Sequence, residues 1–190
     1  AGARGANPAD PLADRTADPE VYDLAKACRR FPQPGALALA VWLEANLRGD
    51  SWGIVRCERL SPTSFSLHAE GRALDWRLDV RVPAERRAAA RLIRLLLAKD
   101  RRGTPRALAR RMGVQEVIWD CHAWYAGREG LVPYRPCFDA QGRPRPIDPT
   151  TAHRDHVHLG LSRAGARLRT SFWAAPVPVD PWAGAPARPA

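Results

Sequence analysis

Hydrophobic and polar positions along the middle of the chain change period several times, as they do where helices and strands are mixed. Apolar spacing and turn signals predict helices at residues 19–29, 35–47, 83–99 and 104–112. Period-two alternation and short apolar runs predict strands at residues 52–57, 73–80, 114–120 and 156–162. Because these elements do not alternate strictly, we expect an α+β fold with a small antiparallel sheet and flanking helices.

The two ends of the chain differ in composition from its middle. Residues 1–19 are rich in Ala, Asp, Pro and Gly and predict a flexible segment, and residues 176–190 predict a Pro/Ala-rich tail. The residues between them, 20–175, are enough for one domain with its own core. No apolar run reaches the roughly 18 residues of a membrane-spanning helix, so we expect no transmembrane segment.

The net charge of +10 comes almost entirely from arginine. A basic surface suits a polyanion such as nucleic acid or an anionic cell wall. Alternatively, the Arg-, Ala- and Pro-rich composition reflects a GC-rich genome, and this interpretation is favoured for any single arginine because the cations are spread along the chain. We expect adhesion to acidic surfaces and no specific nucleic-acid partner.

The four cysteines are Cys28, Cys57, Cys121 and Cys137, and none belongs to a C-x-x-C pair. Neither a structural zinc site nor a redox motif is therefore indicated. Proximity in sequence favours the disulfides Cys28–Cys57 and Cys121–Cys137, the alternative being four thiols in a reducing compartment. We favour disulfides and an extracellular or cell-wall location.

Four of the five histidines fall in two tight clusters. His68 precedes Asp75 by seven positions, and His153 lies just before the pair His156-x-His158. Such a set can supply two nitrogens and one carboxylate oxygen to a single ion. Three protein ligands leave one tetrahedral position open for water, which is typical of a catalytic rather than a structural zinc site.

On a strand, His156 and His158 project from the same face, so one can bind the metal while the other reaches its bound water. Asp155, at the entry to that strand, could be aimed the same way. Zinc lowers the pKa of a bound water to about 7. A nearby carboxylate or imidazole can then take the proton and return it to a leaving amine. The sequence therefore predicts metal-dependent hydrolysis.

A family resemblance is carried by two blocks, Ser66-x-His68-x-x-Gly71-x-Ala73-x-Asp75 and Asp155-x-x-His158. The chain resembles the zinc D-Ala-D-Ala carboxypeptidase family, within the wider lysostaphin–hedgehog-like group of peptidases. It is also similar to secreted actinobacterial and fungal proteins related to the extensin-like C-terminal domains. The resemblance covers mainly residues 52–173, and the two blocks carry nearly all of its specificity.

The resemblance implies that a zinc ion is held by His68, Asp75 and His158. Asp155 occupies the position of the family's catalytic carboxylate and is ranked above His156 as the general base.

The resemblance also suggests outer members of the catalytic and substrate site. His153 is placed among the catalytic group and Ser66 in the substrate site. An arginine upstream of the first ligand often grips a substrate carboxylate, a role open to Arg56 or Arg59 through a bidentate fork. Glu70 is interpreted as a solvated loop residue.

The resulting hypothesis is a secreted zinc peptidase that hydrolyses peptide bonds of bacterial peptidoglycan, in the stem peptide or the cross-link. The alternative is a non-catalytic module that binds cell wall or another polyanion on a peptidase-like fold. A nucleic-acid binder driven by charge alone is a third option, and it would lose affinity steeply with salt and ignore a chelator. The complete set of ligands favours the enzyme.

Overall fold

Helices and antiparallel strands are mixed along residues 18–174, the part of the chain that the computed structural model describes, which confirms the predicted α+β class. The helices are α1 (Pro34–Asn46), α2 (Pro83–Leu97), α3 (Ala107–Met112), α4 (Arg163–Ala166) and α5 (Ser171–Ala174). The strands are β1 (Asp50–Gly53), β2 (Arg59–Ser61), β3 (Ser64–Phe65), β4 (Ala73–Arg77), β5 (Val114–Trp119), β6 (His122–Tyr125), β7 (Val132–Pro133) and β8 (His156–Leu161). Two 3-10 turns span Leu67–Glu70 and Arg135–Cys137.

Six strands form one antiparallel sheet in the order β1-β4-β8-β5-β6-β7, and β2 pairs with β3 in a separate hairpin. The last strand of the chain, β8, is central, between β4 and β5. Its register places Asp75 opposite His158 and Leu74 opposite Leu159. The two halves of the predicted metal site therefore meet on neighbouring strands, although 83 residues of sequence separate them.

The sheet has one apolar face and one polar face. Successive residues of a strand point to opposite sides, so the register that pairs Leu74 with Leu159 directs both side chains into the core. Helices α1, α2 and α3 cover that face with residues such as Leu43 and Leu92. The same alternation sends Ala73 and Asp75 to the opposite face, where they are also buried. Strand β4 is therefore enclosed on both faces from Ala73 to Trp76, and its last residue, Arg77, is exposed.

Residues 18–33, called here the N-terminal segment, are not helical where the sequence predicted a helix at residues 19–29. The segment crosses the polar side of the sheet in an irregular conformation, with one isolated bridge between Ala25 and Phe65. Its backbone groups bond to side chains of other elements, including Gln115, Glu70 and Arg72. These long-range partners replace the hydrogen bonds that a helix would have made within the segment.

Both predicted disulfides, Cys28–Cys57 and Cys121–Cys137, are present. The first ties the N-terminal segment to the chain that follows β1, and the second ties the β5–β6 turn to the second 3-10 turn. No helix within residues 18–174 is long and apolar enough to cross a membrane. Residues 1–17 of the predicted flexible segment and the whole of the predicted Pro/Ala-rich tail, residues 176–190, lie outside the described residues.

Gly71 ends the first 3-10 turn with a left-handed backbone, at φ 65°. A Cβ at this position would lie 2.2 Å from the carbonyl oxygen of Phe31. We expect Gly71→Ala to lower the free energy of unfolding by at least about 1–2 kcal/mol, the cost of left-handed backbone for an L-residue, with displacement of the N-terminal segment in addition. Urea unfolding measures the change, and Gly142→Ala is the matched control because Gly142 has φ 76° and open space around it. Equal effects of the two substitutions would contradict the predicted clash.

Candidate metal centre

The first 3-10 turn fixes the position of His68. The hydroxyl of Ser66 accepts a hydrogen bond from the His68 backbone N–H at 3.3 Å and so caps the start of the turn. Gly71 closes its end, and the turn packs over β8 through Leu67, directly above Gly160. A side chain at Gly160 would occupy the space of Leu67. The imidazole of His68 is therefore held over the sheet at the level of Asp75.

Three ligand atoms form a small triangle on the polar face of the sheet. Nε2 of His68 lies 3.0 Å from Oδ1 of Asp75 and 3.1 Å from Nδ1 of His158. Nδ1 of His158 lies 3.1 Å from the same oxygen of Asp75. Ligand atoms of a tetrahedral zinc ion lie roughly 3.3 Å apart, so a slight expansion of the triangle would admit an ion. All three residues are buried, and the group could hold a metal.

The partners of the two imidazoles determine which of their nitrogens carry protons. Nδ1 of His68 lies 2.9 Å from the carbonyl oxygen of Ile54, which only accepts, so Nδ1 is the protonated atom and Nε2 keeps a lone pair. Nε2 of His158 lies 3.2 Å from Oε1 of Glu116, within ion-pair distance. Its N–H is not well enough aligned with this oxygen to form a hydrogen bond. Without a metal, His158 also carries a proton on Nδ1, which donates to Asp75. Once an ion displaces that proton, two nitrogen lone pairs and a carboxylate are directed toward one point.

Asp75 is strongly acidic in this setting. Burial acts to raise its pKa, but the hydrogen bond from Nδ1–H of His158 and the close contact with His68 outweigh burial and hold the pKa of Asp75 far below its usual range. Its second oxygen, Oδ2, accepts a hydrogen bond from Nη1 of Arg56 at 3.2 Å. The carboxylate of Asp75 is therefore ionised at physiological pH, and its charge is available to a cation.

A histidine–aspartate pair stands next to the triangle. Nε2 of His156 lies 3.6 Å from Oδ1 of Asp75. Nδ1 of His156 donates to Oδ1 of Asp155 at 2.8 Å, and Oδ2 of Asp155 accepts a hydrogen bond from the hydroxyl of Thr150 at 2.6 Å. Asp155 therefore faces the far side of the imidazole and orients it, while Nε2 of His156 faces the candidate ligand Asp75.

His153 lies against the same group with a strained backbone. Its φ is 53°, which is uncommon for a residue other than glycine. Nδ1 of His153 points to the carbonyl oxygen of Thr151 at 3.1 Å, and its ring centroid lies 4.6 Å from that of His156. Burial lowers the pKa of His153 to about 3. It is thus a neutral imidazole at physiological pH, fixed beside the ligands.

The three candidate ligands His68, Asp75 and His158 lie in a cleft of about 540 Å³. Its walls include the aromatic side chains of Tyr22, Trp52, Phe65, Tyr125 and Tyr134, and all four clustered histidines reach it. The half-exposed Arg56 also lines the cleft, whereas Arg59 does not appear among the described lining residues. The guanidinium of Arg59 instead stacks on Phe65, 4.5 Å from the ring centroid, so of the two arginines Arg56 is the one placed near the ligands.

Glu116 and Tyr22 belong to this site but did not emerge from the sequence patterns. Glu116 is on β5, 8% exposed, and contacts His158 with one oxygen and the hydroxyl of Tyr22 with the other. The sequence signal that could have identified Glu116 is an acidic residue inside a predicted strand, β5, that is otherwise mostly apolar. Nothing in the sequence links it to Tyr22, which is 94 residues away.

Glu70 is buried rather than solvated, which corrects the interpretation of this residue as an exposed loop carboxylate. Its side chain accepts hydrogen bonds from Nε of Arg72 and from the backbone N–H of Lys26, both at 2.8 Å. The correction has a physical cause: Arg72, also buried, needs a counter-charge, and the N-terminal segment covers both groups.

Fold and site together define an α+β protein with a buried group of two histidines and one aspartate on the polar face of its sheet. The chain matches the family model described as VldE, C-terminal domain, over residues 31–140, more than half of its 190 residues, and therefore belongs to that family. The matched stretch includes His68, Asp75 and Glu116 and ends before His158. No curated protein and no solved structure matches the chain.

The protonation of His158 predicts how the metal-free protein responds to pH. Burial acts to lower the pKa of His158, but its contacts with Asp75 and Glu116 outweigh burial and raise the pKa from 6.5 to about 9. A raised pKa stabilises the fold below the unfolded value, and that contribution is lost as pH rises through the folded value. We therefore expect the metal-free protein to lose stability between pH 6.5 and about pH 9.

Urea unfolding of chelator-treated protein across this pH range measures the effect, with His158→Gln as a control that removes the titrating group. A divalent ion must displace the same proton, so its affinity should increase over the same window. Stability that stays flat or increases between pH 6.5 and pH 9 would contradict the predicted protonation of His158.

Proposed function

We propose that the protein is a zinc-dependent peptidase that hydrolyses D-Ala-type peptide bonds of bacterial peptidoglycan outside the cell. The observation that carries the proposal is the triangle of ligand atoms from His68, Asp75 and His158 in an open cleft. The resemblance of the two sequence blocks to zinc D-Ala-D-Ala carboxypeptidases supports zinc as the ion and a peptide bond as the target.

The donor set fits zinc in its chemistry. Two imidazole nitrogens and one carboxylate oxygen are ligands that catalytic zinc sites use, and they leave a position for water. When bound, zinc would lower the pKa of that water to about 7 and polarise a carbonyl oxygen. Arg56 and Glu116, which contact two of the ligands, would hold their orientation.

The proton is handled by His156 in this proposal. Because Nδ1 of His156 donates to Asp155, Nε2 carries the lone pair and faces the candidate ligand Asp75. It can accept a proton from an attacking water and return it to the leaving amine. Asp155 then acts as a positioning residue that holds the ring in this tautomer, and Thr150 in turn holds Asp155.

Arg56 is placed to bind an anionic part of the substrate. Its side chain is 54% exposed, and its Nη1 and Nε atoms contact Asp75 and Glu58. The same side chain lines the cleft. Stem peptides of peptidoglycan carry free carboxylates, which match such a cation. His153, neutral and adjacent to His156, would contact the substrate near the scissile bond.

A non-catalytic cell-wall or polyanion-binding module is the alternative. The oriented pair of Asp155 and His156 beside the candidate ligands favours the enzyme, because binding alone does not require a fixed proton acceptor at that place. The two disulfides suit the oxidising environment outside cells. They support a location outside the cell.

Digestion of purified peptidoglycan and of synthetic stem peptides ending in D-Ala-D-Ala tests the proposal. The zinc-loaded protein should release new amino groups, a chelator should abolish the release, and added zinc should restore it. Mass spectrometry of the products would identify the cleaved bond. Zinc-loaded protein that sediments with the wall but releases no amine from any of these substrates would support the binding module instead.

A further inference from the structure

We infer that Glu116 and Tyr22 form an outer support of the metal site, so that the N-terminal segment sets how tightly the ion is held. This inference rests on one part of the proposed function, namely that His68, Asp75 and His158 bind a metal ion. It does not depend on the reaction or on the substrate.

Glu116 connects a metal ligand to the N-terminal segment. Glu116 lies on the polar face of β5, which is paired with β8, the strand of His158. Its buried carboxylate lies between β5 and the N-terminal segment. Oε1 lies 3.2 Å from Nε2 of His158, on the side of the ring away from the ligand triangle. Oε2 accepts a hydrogen bond from the hydroxyl of Tyr22. The contacts therefore connect the phenol of Tyr22, through the carboxylate of Glu116, to the imidazole of His158.

Tyr22 is held in place by its neighbour in the sequence, Asp23. The backbone of Asp23 makes two hydrogen bonds with the amide of Gln115, at 2.8 and 3.1 Å, and its carbonyl oxygen accepts one from Arg72 at 2.8 Å. The Asp23 carboxylate accepts a further hydrogen bond from the backbone N–H of Arg163 at 2.8 Å. Gln115 precedes Glu116 on β5, so both halves of the contact are fixed to the same strand. The phenol is thus presented by a rigid support.

The contacts have a defined effect on the ligand. A carboxylate beside Nε2 keeps the proton on that nitrogen, which leaves Nδ1 of His158 with the lone pair that an ion requires. The hydroxyl of Tyr22 satisfies the other oxygen of Glu116 and fixes the rotation of the carboxylate. Without the phenol, the carboxylate would lose a buried hydrogen bond and could turn away from the imidazole.

Zinc affinity of the full chain, measured by competition with a chromophoric chelator, tests the inference. We expect Glu116→Gln to weaken zinc binding by about 10–100-fold and Tyr22→Phe by about tenfold, as outer partners of metal-bound histidines typically do. In the double variant, Tyr22→Phe should add at most about twofold, because it acts through Glu116. Tyr125→Phe is the matched control: it removes a phenol from the same cleft, edge-on to Tyr22 at 5.8 Å, and should leave the affinity unchanged.

Thermal unfolding of the metal-free variants separates a change in affinity from a loss of fold. A purely structural role would lower the melting temperature of the metal-free protein and leave the zinc dissociation constant of the folded fraction unchanged, which would overturn the inference. Wild-type zinc affinity in Glu116→Gln and Tyr22→Phe would overturn it as well, with the proposed function intact. A wild-type protein that binds no zinc would overturn both. Zinc binding without hydrolysis would overturn only the proposed function.

Discussion

His158→Ala is expected to abolish stoichiometric zinc binding and all hydrolysis while leaving the fold largely intact. The substitution removes one of three ligands, and the remaining pair, His68 and Asp75, would hold an ion only weakly. The core on the opposite face of the sheet is not touched by the change, because it is built from apolar residues of the helices and alternate strand positions.

Elemental analysis and circular dichroism of the purified variant measure the two outcomes. His122→Ala is the matched control, since His122 is exposed on β6 and outside the ligand triangle, and it should retain zinc and activity. If His158→Ala kept one zinc ion per chain, the assignment of the ligands would be wrong.

His156→Ala is expected to lower kcat by about 10²–10⁴-fold while zinc stays bound, the range typical for loss of a general base. The reason is geometric: Nε2 of His156 faces the candidate ligand Asp75, and no ligand atom is removed. Asp155→Asn should cost less, because the amide oxygen can still accept from Nδ1 of His156. Steady-state hydrolysis of a stem peptide, together with zinc content, gives both quantities.

The relative size of these two losses distinguishes the roles of the residues. Sequence resemblance ranked Asp155 above His156 as the general base, whereas the geometry favours His156 as the base and Asp155 as its positioning residue. A loss of kcat in Asp155→Asn equal to or larger than that in His156→Ala would indicate that Asp155 is the general base. Thr150→Val, which removes only the outermost hydrogen bond, should have the smallest effect of the three.

The sequence predicted the parts of the fold that follow local patterns. Helix α2 and strand β8 lie within two residues of their predicted limits, because helical and period-two spacing reflect burial against one core. The two disulfides followed from proximity in the chain. Grouping His68 with Asp75 and His158 required the register of β4 and β8, which spacing alone does not give but the motif resemblance implied.

The features that the sequence did not predict depend on contacts across long distances in the chain. The N-terminal segment was predicted to be a helix, yet its backbone bonds to Gln115 and Arg72, which no local pattern could indicate. Glu116 was not recognised because its partners, Tyr22 and His158, are far from it in sequence. Glu70 was misjudged for the same reason, since the segment that buries it comes from elsewhere in the chain.

The most direct test of the account is the metal content of the wild-type protein after reconstitution with zinc and removal of excess ion. Elemental analysis should find one zinc ion per chain, lost on treatment with a strong chelator and recovered when zinc is added. No zinc after reconstitution would contradict the central claim that His68, Asp75 and His158 form a metal site. Iron in place of zinc would retain the site but contradict the zinc-peptidase proposal, because two histidines and a carboxylate also bind iron in oxygenases.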